Sequence, residues 1–200
     1  MKKWFCLMLS ALTALSLGGC GGQESPSGTS LTPVTLNEVA HSIFYAPQYV
    51  AIENGYFKDE GLNVKIVDFQ GGSRSLQAVV GGSADVVSGA FEHTISMQAK
   101  KQPMTAFVLQ GRAPQLALVV SNKTMKDYKQ LSDLKGKKVG VTAPGSSSQM
   151  VANFILKKGG LGPKDVAFIG VGSSSGAVSA IRSGQIDALI NLDPVITILL

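Results

Sequence analysis

The sequence predicts an α/β protein of two lobes, each a βαβαβ unit with a mostly parallel sheet. Three observations carry that expectation. Apolar strands alternate with helices and Gly- or Ser-rich turns along most of the 200 residues, the pattern of a parallel α/β sheet. The run Ala78-Val79-x-x-Gly82-x-Ala84-Asp85-Val86 returns as Ala180-Ile181-x-x-Gly184-x-Ile186-Asp187-Ala188, an offset of 102 residues. Gly61-Leu62 and Gly160-Leu161 echo at nearly the same offset. One echo is within reach of chance, because Gly after a helix and apolar strands are common. Several in the same order favour two similar lobes.

Residues 1–19 read as an export signal: Lys2 and Lys3, then an apolar run from Trp4 to Leu17. That run is shorter than the roughly 20 residues a membrane-spanning helix needs. It closes on Leu17-Gly18-Gly19-Cys20, which resembles the lipobox of bacterial lipoproteins, with Gly18 where Ala or Ser is usual. The resemblance implies lipidation of Cys20 and a membrane-tethered protein. Residues 20–33 are rich in Gly, Ser and Pro and read as a flexible tether. Cys6, the one other cysteine, lies inside the signal, so no internal disulfide is expected. The formal charge of +5 falls to about +3 without Lys2 and Lys3. The remaining cations are scattered, with no basic stripe interleaved with aromatics, which excludes a nucleic-acid surface.

Lobe I is expected over residues 34–113. Val34 to Val39 alternates as a strand, and Pro47 suits the first turn of a helix that Gly55 stops. Tyr45, Tyr49, Ile52 and Tyr56 fall on one face of that helix. Leu62 to Phe69 is a strand, Gly71-Gly72-Ser73 a turn, Ser75 to Val80 a helix, and a short apolar strand follows Asp85. Met104 to Gln110 reads as a further strand, and Arg112-Ala113-Pro114 as the passage between lobes.

Lobe II is expected over residues 114–200. Gln115 to Ser121 and Lys137 to Thr142 are strands, and Ala143 to Ser148 is a tight turn into a helix. That helix carries Met150, Val151, Phe154 and Ile155 on one face, ends with Lys157-Lys158, and stops at Gly159-Gly160. The strand Val166 to Val171, the turn Gly172 to Ser175, a helix to Ser183 and the strand Ala188 to Asn191 follow. Pro194 begins a last helix.

In open parallel sheets ligands bind beyond the carboxyl ends of the strands, where helix N-termini converge. The turns at Ser146 and Ser147 and at Ser173 and Ser174 offer hydroxyls and N–H groups suited to an anion or polar head group. Serines also simply cap helices, but two triplets at equivalent turns favour a ligand site. On the first lobe the corresponding turns hold Ser42, Tyr45, Gly89 and Ala90. Tyr45 and Phe91 suit stacking on an organic ligand or packing in a core. Arg112 suits an anionic group or a hinge, and Asp193 a ligand donor or a helix cap. The only histidines, His41 and His93, lack the spacing of a zinc site. Gly170 to Gly176 is a weak, misspaced dinucleotide motif, and no G-x-S-x-G elbow exists. No metal, no cofactor and no enzyme activity are expected.

Tyr45 to Leu62, Leu134 to Val141, Pro144-Gly145-Ser146-Ser147 and Gly184 to Ala188 with Asp193-Pro194 resemble the nitrate/sulfonate/taurine class of ABC-importer solute-binding proteins. The resemblance implies a type II periplasmic-binding-protein fold and a monomer that captures a small solute, anionic or polar, for an importer permease. It places the protein in the periplasm or on the outer face of the cell membrane. It also implies a C-terminal segment that completes one lobe, so the C-terminal part of the fold is expected to be missing after Leu200. The alternative within the same superfamily is a protein that binds or makes thiamine-pyrimidine or riboflavin precursors. The cysteine-rich signature of the synthases is absent. A sensor domain and a surface protein without a small ligand are further alternatives.

Overall fold

The computed structural model describes residues 30–69 and 71–200. The expected signal over residues 1–19, lipidated Cys20, the tether as far as residue 29, and Gln70 lie outside the described residues. The tether ends sooner than expected, because β1 (Thr32–Glu38) already begins at Thr32. Thr32 pairs with Leu62 of β2 (Leu62–Asp68). β3 (Val86–Ser88) pairs with β1 only from Leu36 onward. Pro33, which has no N–H to donate, therefore falls where β1 lacks a neighbour on the β3 side.

The first sheet has the order β2-β1-β3, and both pairings are parallel. Helices make the crossovers that parallel strands require. α1 (Ala46–Glu53) and the short α2 (Tyr56–Asp59) join β1 to β2, and α3 (Gly72–Val80) joins β2 to β3. α4 (Glu92–Ala99) follows β3. Leu36, Leu76, Ala78 and Met97 are buried in this half.

The second sheet comprises β4 (Ala117–Val120), β5 (Lys138–Val141), β6 (Ala167–Gly170) and β7 (Ala188–Asn191) in the order β4-β7-β5-β6. β5 pairs in parallel with β6 and β7, while β4 is antiparallel to β7. All four residues of β7 are buried, as a strand covered on both faces requires. Ala188 and Ile190 pack in one cluster with Val139, Val141, Ala152 and Leu156, the last two from α5 (Ser147–Lys158). Leu189, pointing the other way, packs with Ala177 and Ile181 of α6 (Ser175–Ser183) and Val195 of α7 (Val195–Leu199). The molecule is thus mixed α/β with mostly parallel sheets, as the alternation of elements predicts.

Three local expectations are corrected, and one helix was not anticipated. Met104 to Gln110 is not a strand; Phe107, Val108 and Leu109 are 74%, 67% and 72% exposed, and no ladder pairs them among the described residues. Apolar alternation gives strand propensity but no hydrogen-bonding partner. Tyr56 does not continue the face of Tyr49 and Ile52, because Gly55 at φ +79° breaks the helix and α2 starts afresh. On α5 the buried residues are Ser148, Ala152 and Leu156, with Val151 and Ile155 beside the core, while Phe154 is exposed under the Lys158 ammonium. The helix α4 has no counterpart in the sequence reading.

Candidate ligand-binding cleft

The turn into α5 is held by its own hydroxyls. Thr142 N–H donates to Ser148 Oγ at 2.9 Å, and Thr142 Oγ1 lies 2.9 Å from both Ser146 Oγ and Ser148 Oγ. Ser146 Oγ donates to Ala143 O at 2.6 Å and accepts from Ala143 N–H at 3.3 Å. Gly145 N–H donates to Gln149 Oε1 at 2.6 Å. Buried hydroxyls need such partners. The network leaves Ser147 as the serine of this triplet whose hydroxyl faces across to the first sheet.

Ser147 Oγ lies 3.3 Å from His93 Nε2 on α4, a direct contact between the two sheets' helices. His93 is 4% exposed, and that burial pushes its ring below the ordinary histidine value, opposed by the nearby Glu92 carboxylate. The ring occupies the space a side chain at Gly72 would need. Beside it, Gly71 adopts φ +117°, and a Cβ there would sit 3.0 Å from Ala143 Cβ. Gly71 lets the start of α3 approach the turn after β5, and Gly72 makes room for the His93 ring.

A second bridge joins Ser42 Oγ to the backbone O of Asp193 at 3.2 Å. Residues flanking this pair line two different cavities. Phe44, Tyr45 and Leu192 line one of about 80 Å³, together with Ala90, Ser146 and Ser147. His41 and Pro194 line one of about 360 Å³, together with Asp68, Ser173 and Ser174. Each cavity takes walls from both sheets. The N–H groups that open a helix have no intrahelical acceptor, and Ser147 and Ser148 bring those of α5 to the smaller cavity.

Beneath the first-sheet wall, the Glu38 carboxylate is 1% exposed. Its Oε2 accepts from Gln48 Nε2 and Tyr49 OH, each at 2.8 Å, and its Oε1 lies 2.9 Å from His41 Nδ1. The His41 ring stacks at 4.7 Å on Tyr49. Gln48 Oε1 in turn accepts from Ser88 Oγ and from Gln110 Nε2. Burial first, then the hydrogen bond to Glu38 and the Glu38 and Asp68 charges, pushes the Tyr49 phenol up to about 12, although its bond to Ser42 N–H works the other way. Tyr45 is raised further, again by burial first and then by Glu38, Tyr49 and Asp68.

The structure therefore brings Tyr45, Ala90, Ser146 and Ser147 to one cavity and Ser173 and Ser174 to the other. Ser42 and Asp193 stand between the two. The Asp193 carboxylate also accepts from Thr197 N–H at 3.0 Å and Thr197 Oγ1 at 2.9 Å, so the helix-cap role considered for it is present. Gly89 and Arg112 line neither cavity, and Arg112 is exposed. Sequence reasoning missed Thr142, Phe44 and His93 as wall or bridge residues. His93 and Met97, buried at i and i+4 on α4, were the available signal for that helix and for the ring's inward direction.

Two mostly parallel sheets facing each other across a gap rimmed by helix N-termini define the periplasmic-binding-protein class of fold. The chain belongs to the NMT1/THI5-like family, whose sequence model matches residues 43–196. A solved structure of a Bordetella bronchiseptica RB50 protein is 58% identical, with TM-score 0.80 over 85% of this chain and 54% of that one. The alkanesulfonate-binding protein SsuA from Xanthomonas axonopodis pv. citri, bound to MOPS, is 21% identical with TM-score 0.57, over 82% of this chain and 55% of its own. YtlA of Bacillus subtilis (strain 168) is 30% identical over 92% of this chain and 55% of its own length. The 4-amino-5-hydroxymethyl-2-methylpyrimidine phosphate synthase of Schizosaccharomyces pombe is 27% identical over 75% of this chain and 42% of its own length. The chain spans about half the length of the curated relatives it matches.

Proposed function

We propose that this protein is the solute-capturing component of an ABC importer, binding a small polar or anionic organic solute between its two sheets and passing it to a permease. The lobes are residues 34–113 and 114–200, monomeric together, tethered through a lipid on Cys20 at the periplasmic or outer face of the cell membrane. The supporting observation is the cavity shared by Tyr45 and Ala90 from one sheet and Ser146 and Ser147 from the other. Such a site gains affinity in the closed form because only that form lets both walls touch the solute at once. The sulfonate-binding neighbour lends the solute class, and the export signal lends the compartment.

The fungal synthase relative favours a second reading, a protein that handles a thiamine-pyrimidine precursor. Within that reading the step shared with the first is the binding of a small organic molecule between the two sheets. A thermal-shift screen of the purified chain tests both readings. A solute at 100 times its Kd should add about 2.7 kcal/mol of stability. Turnover of a bound pyrimidine precursor would overturn the binding-only reading. A flat response across sulfonates, nitrate, amino acids and pyrimidines would overturn capture altogether.

A further inference from the structure

Ser147 has two neighbours to serve. It lines the smaller cavity, and its hydroxyl meets His93 Nε2 at 3.3 Å. A hydroxyl has one hydrogen to give and two lone pairs to receive, so what it does toward the ring limits what it offers a solute. Ser146 and Ser148 have no such choice, being tied to each other and to Thr142. His93 itself is not among the residues lining the cavity. Its ring is closed in by Gly72 at the start of α3, by Gly89 after β3 and by Ser147 of α5, none of which titrates. Among the described residues, Glu92 on its own helix is the charge that acts on it.

A neutral imidazole works in either sense. With Nε2 bare it accepts the Ser147 O–H, and the oxygen's lone pairs are left to receive a hydrogen from the solute. With the hydrogen on Nε2 it donates, and the Ser147 O–H is free to turn to an acceptor. An imidazolium carries hydrogens on both nitrogens, so only the second arrangement survives. We propose that His93 is a positioning residue of the solute site: through Ser147 it decides whether this wall offers the solute a hydrogen or a lone pair, and protonation fixes the wall as a donor. In that state a positive charge stands one hydroxyl behind the cavity, on the same wall as the N–H groups that open α5. A solute that only accepts gains from it, and one that only donates loses its partner. Burial keeps the ring neutral until the pH is below 6.5, so the change falls on the acid side. This inference rests on the solute-capture reading and adds a pH-dependent choice of ligand to it.

Calorimetry with two small probes that do not titrate in this range tests it: nitrate, which only accepts, and methylammonium, which only donates. From pH 7.5 to pH 5.5 nitrate should tighten at least about threefold and methylammonium should weaken. By reciprocity nitrate must raise the His93 pKa, which the NMR titration of the ring Cε1–H reads. His93→Gln, whose amide both donates and accepts but does not titrate, should remove both slopes. Slopes that persist in His93→Gln, or two probes that move together with pH, would overturn the role of His93 and leave capture standing. Undiminished slopes in Ser147→Ala would show charge acting without the hydroxyl and would overturn the positioning role. Failure of both probes to bind at either pH would overturn the inference, and a flat thermal-shift screen alongside would take capture with it.

Discussion

The Ser147 hydroxyl and the His93 Nε2 atom, 3.3 Å apart, join the first turn of α5 to the buried face of α4. A neutral ring serves this contact, and burial holds the ring neutral below the ordinary value of 6.5. Above pH 6.5 the ring is neutral in both the folded and the unfolded chain. As pH falls from 6.5 through the lowered folded value, the unfolded chain binds the proton first and stability declines. Urea midpoints should therefore drop between pH 7.5 and pH 5.5, and His93→Gln should flatten that part of the profile. An unchanged slope in the variant would show that His93 does not carry the dependence.

Ser147 and Ser148 are neighbours with opposite duties. Ser148→Ala removes a buried partner of Thr142 N–H and should cost about 1–3 kcal/mol, the usual penalty for orphaning a buried polar group. Ser147→Ala removes a partner of the buried His93 Nε2, which should cost about 1 kcal/mol, while weakening any solute found in the thermal-shift screen. Equilibrium urea unfolding of both variants, with solute titrations alongside, separates holding the turn from touching the ligand.

Gly72→Ala drives a methyl group into the His93 ring. Overpacking of this kind costs about 1–3 kcal/mol. Because the clash is with a side chain, His93→Ala in the same chain should recover part of the loss. A double-mutant cycle by urea unfolding should give a coupling of about 0.5–3 kcal/mol; additive costs would place the two residues out of contact.

Tyr49 should ionise near pH 12, with Tyr45 higher still. Both phenols are raised on folding, so their contribution to stability is complete below the ordinary value of 10.0. It is lost as pH rises through the folded values. Tyr128 is raised as well, by burial first and then by the Asp133 charge, so ultraviolet phenolate titration should show three late-titrating tyrosines, one of them missing in Tyr49→Phe.

The strands that form and most helix ends were legible because their signals are local, although Met104 to Gln110 carries the same local signal and forms none. Pro47 within the first turn of α1, the glycines after α1, α3, α5 and α6, and the apolar run of β7 each announce themselves within a few residues. α4 was not legible: it opens on Phe91 with no side-chain cap, and Ile95 on it is 63% exposed. On α5 the expected face is half right: Val151 and Ile155 pack beside the core, but its buried apolar residues are Ala152 and Leu156, and Phe154 stays outside. The serine runs fall on cavity walls, but the direction of each hydroxyl in the first run is decided by the Thr142 network, which no local signal announces. Arg112 was chosen for its charge, and charge alone carries no information about distance from a cavity.

The most direct test of the account is a crystal structure of the chain with the tightest solute from the screen. Density bounded by Tyr45 on one side and Ser147 on the other, contacting residues of both sheets, is the predicted result. Solute resting on one sheet alone, with the space between Tyr45 and Ser147 unoccupied by it, would contradict the account.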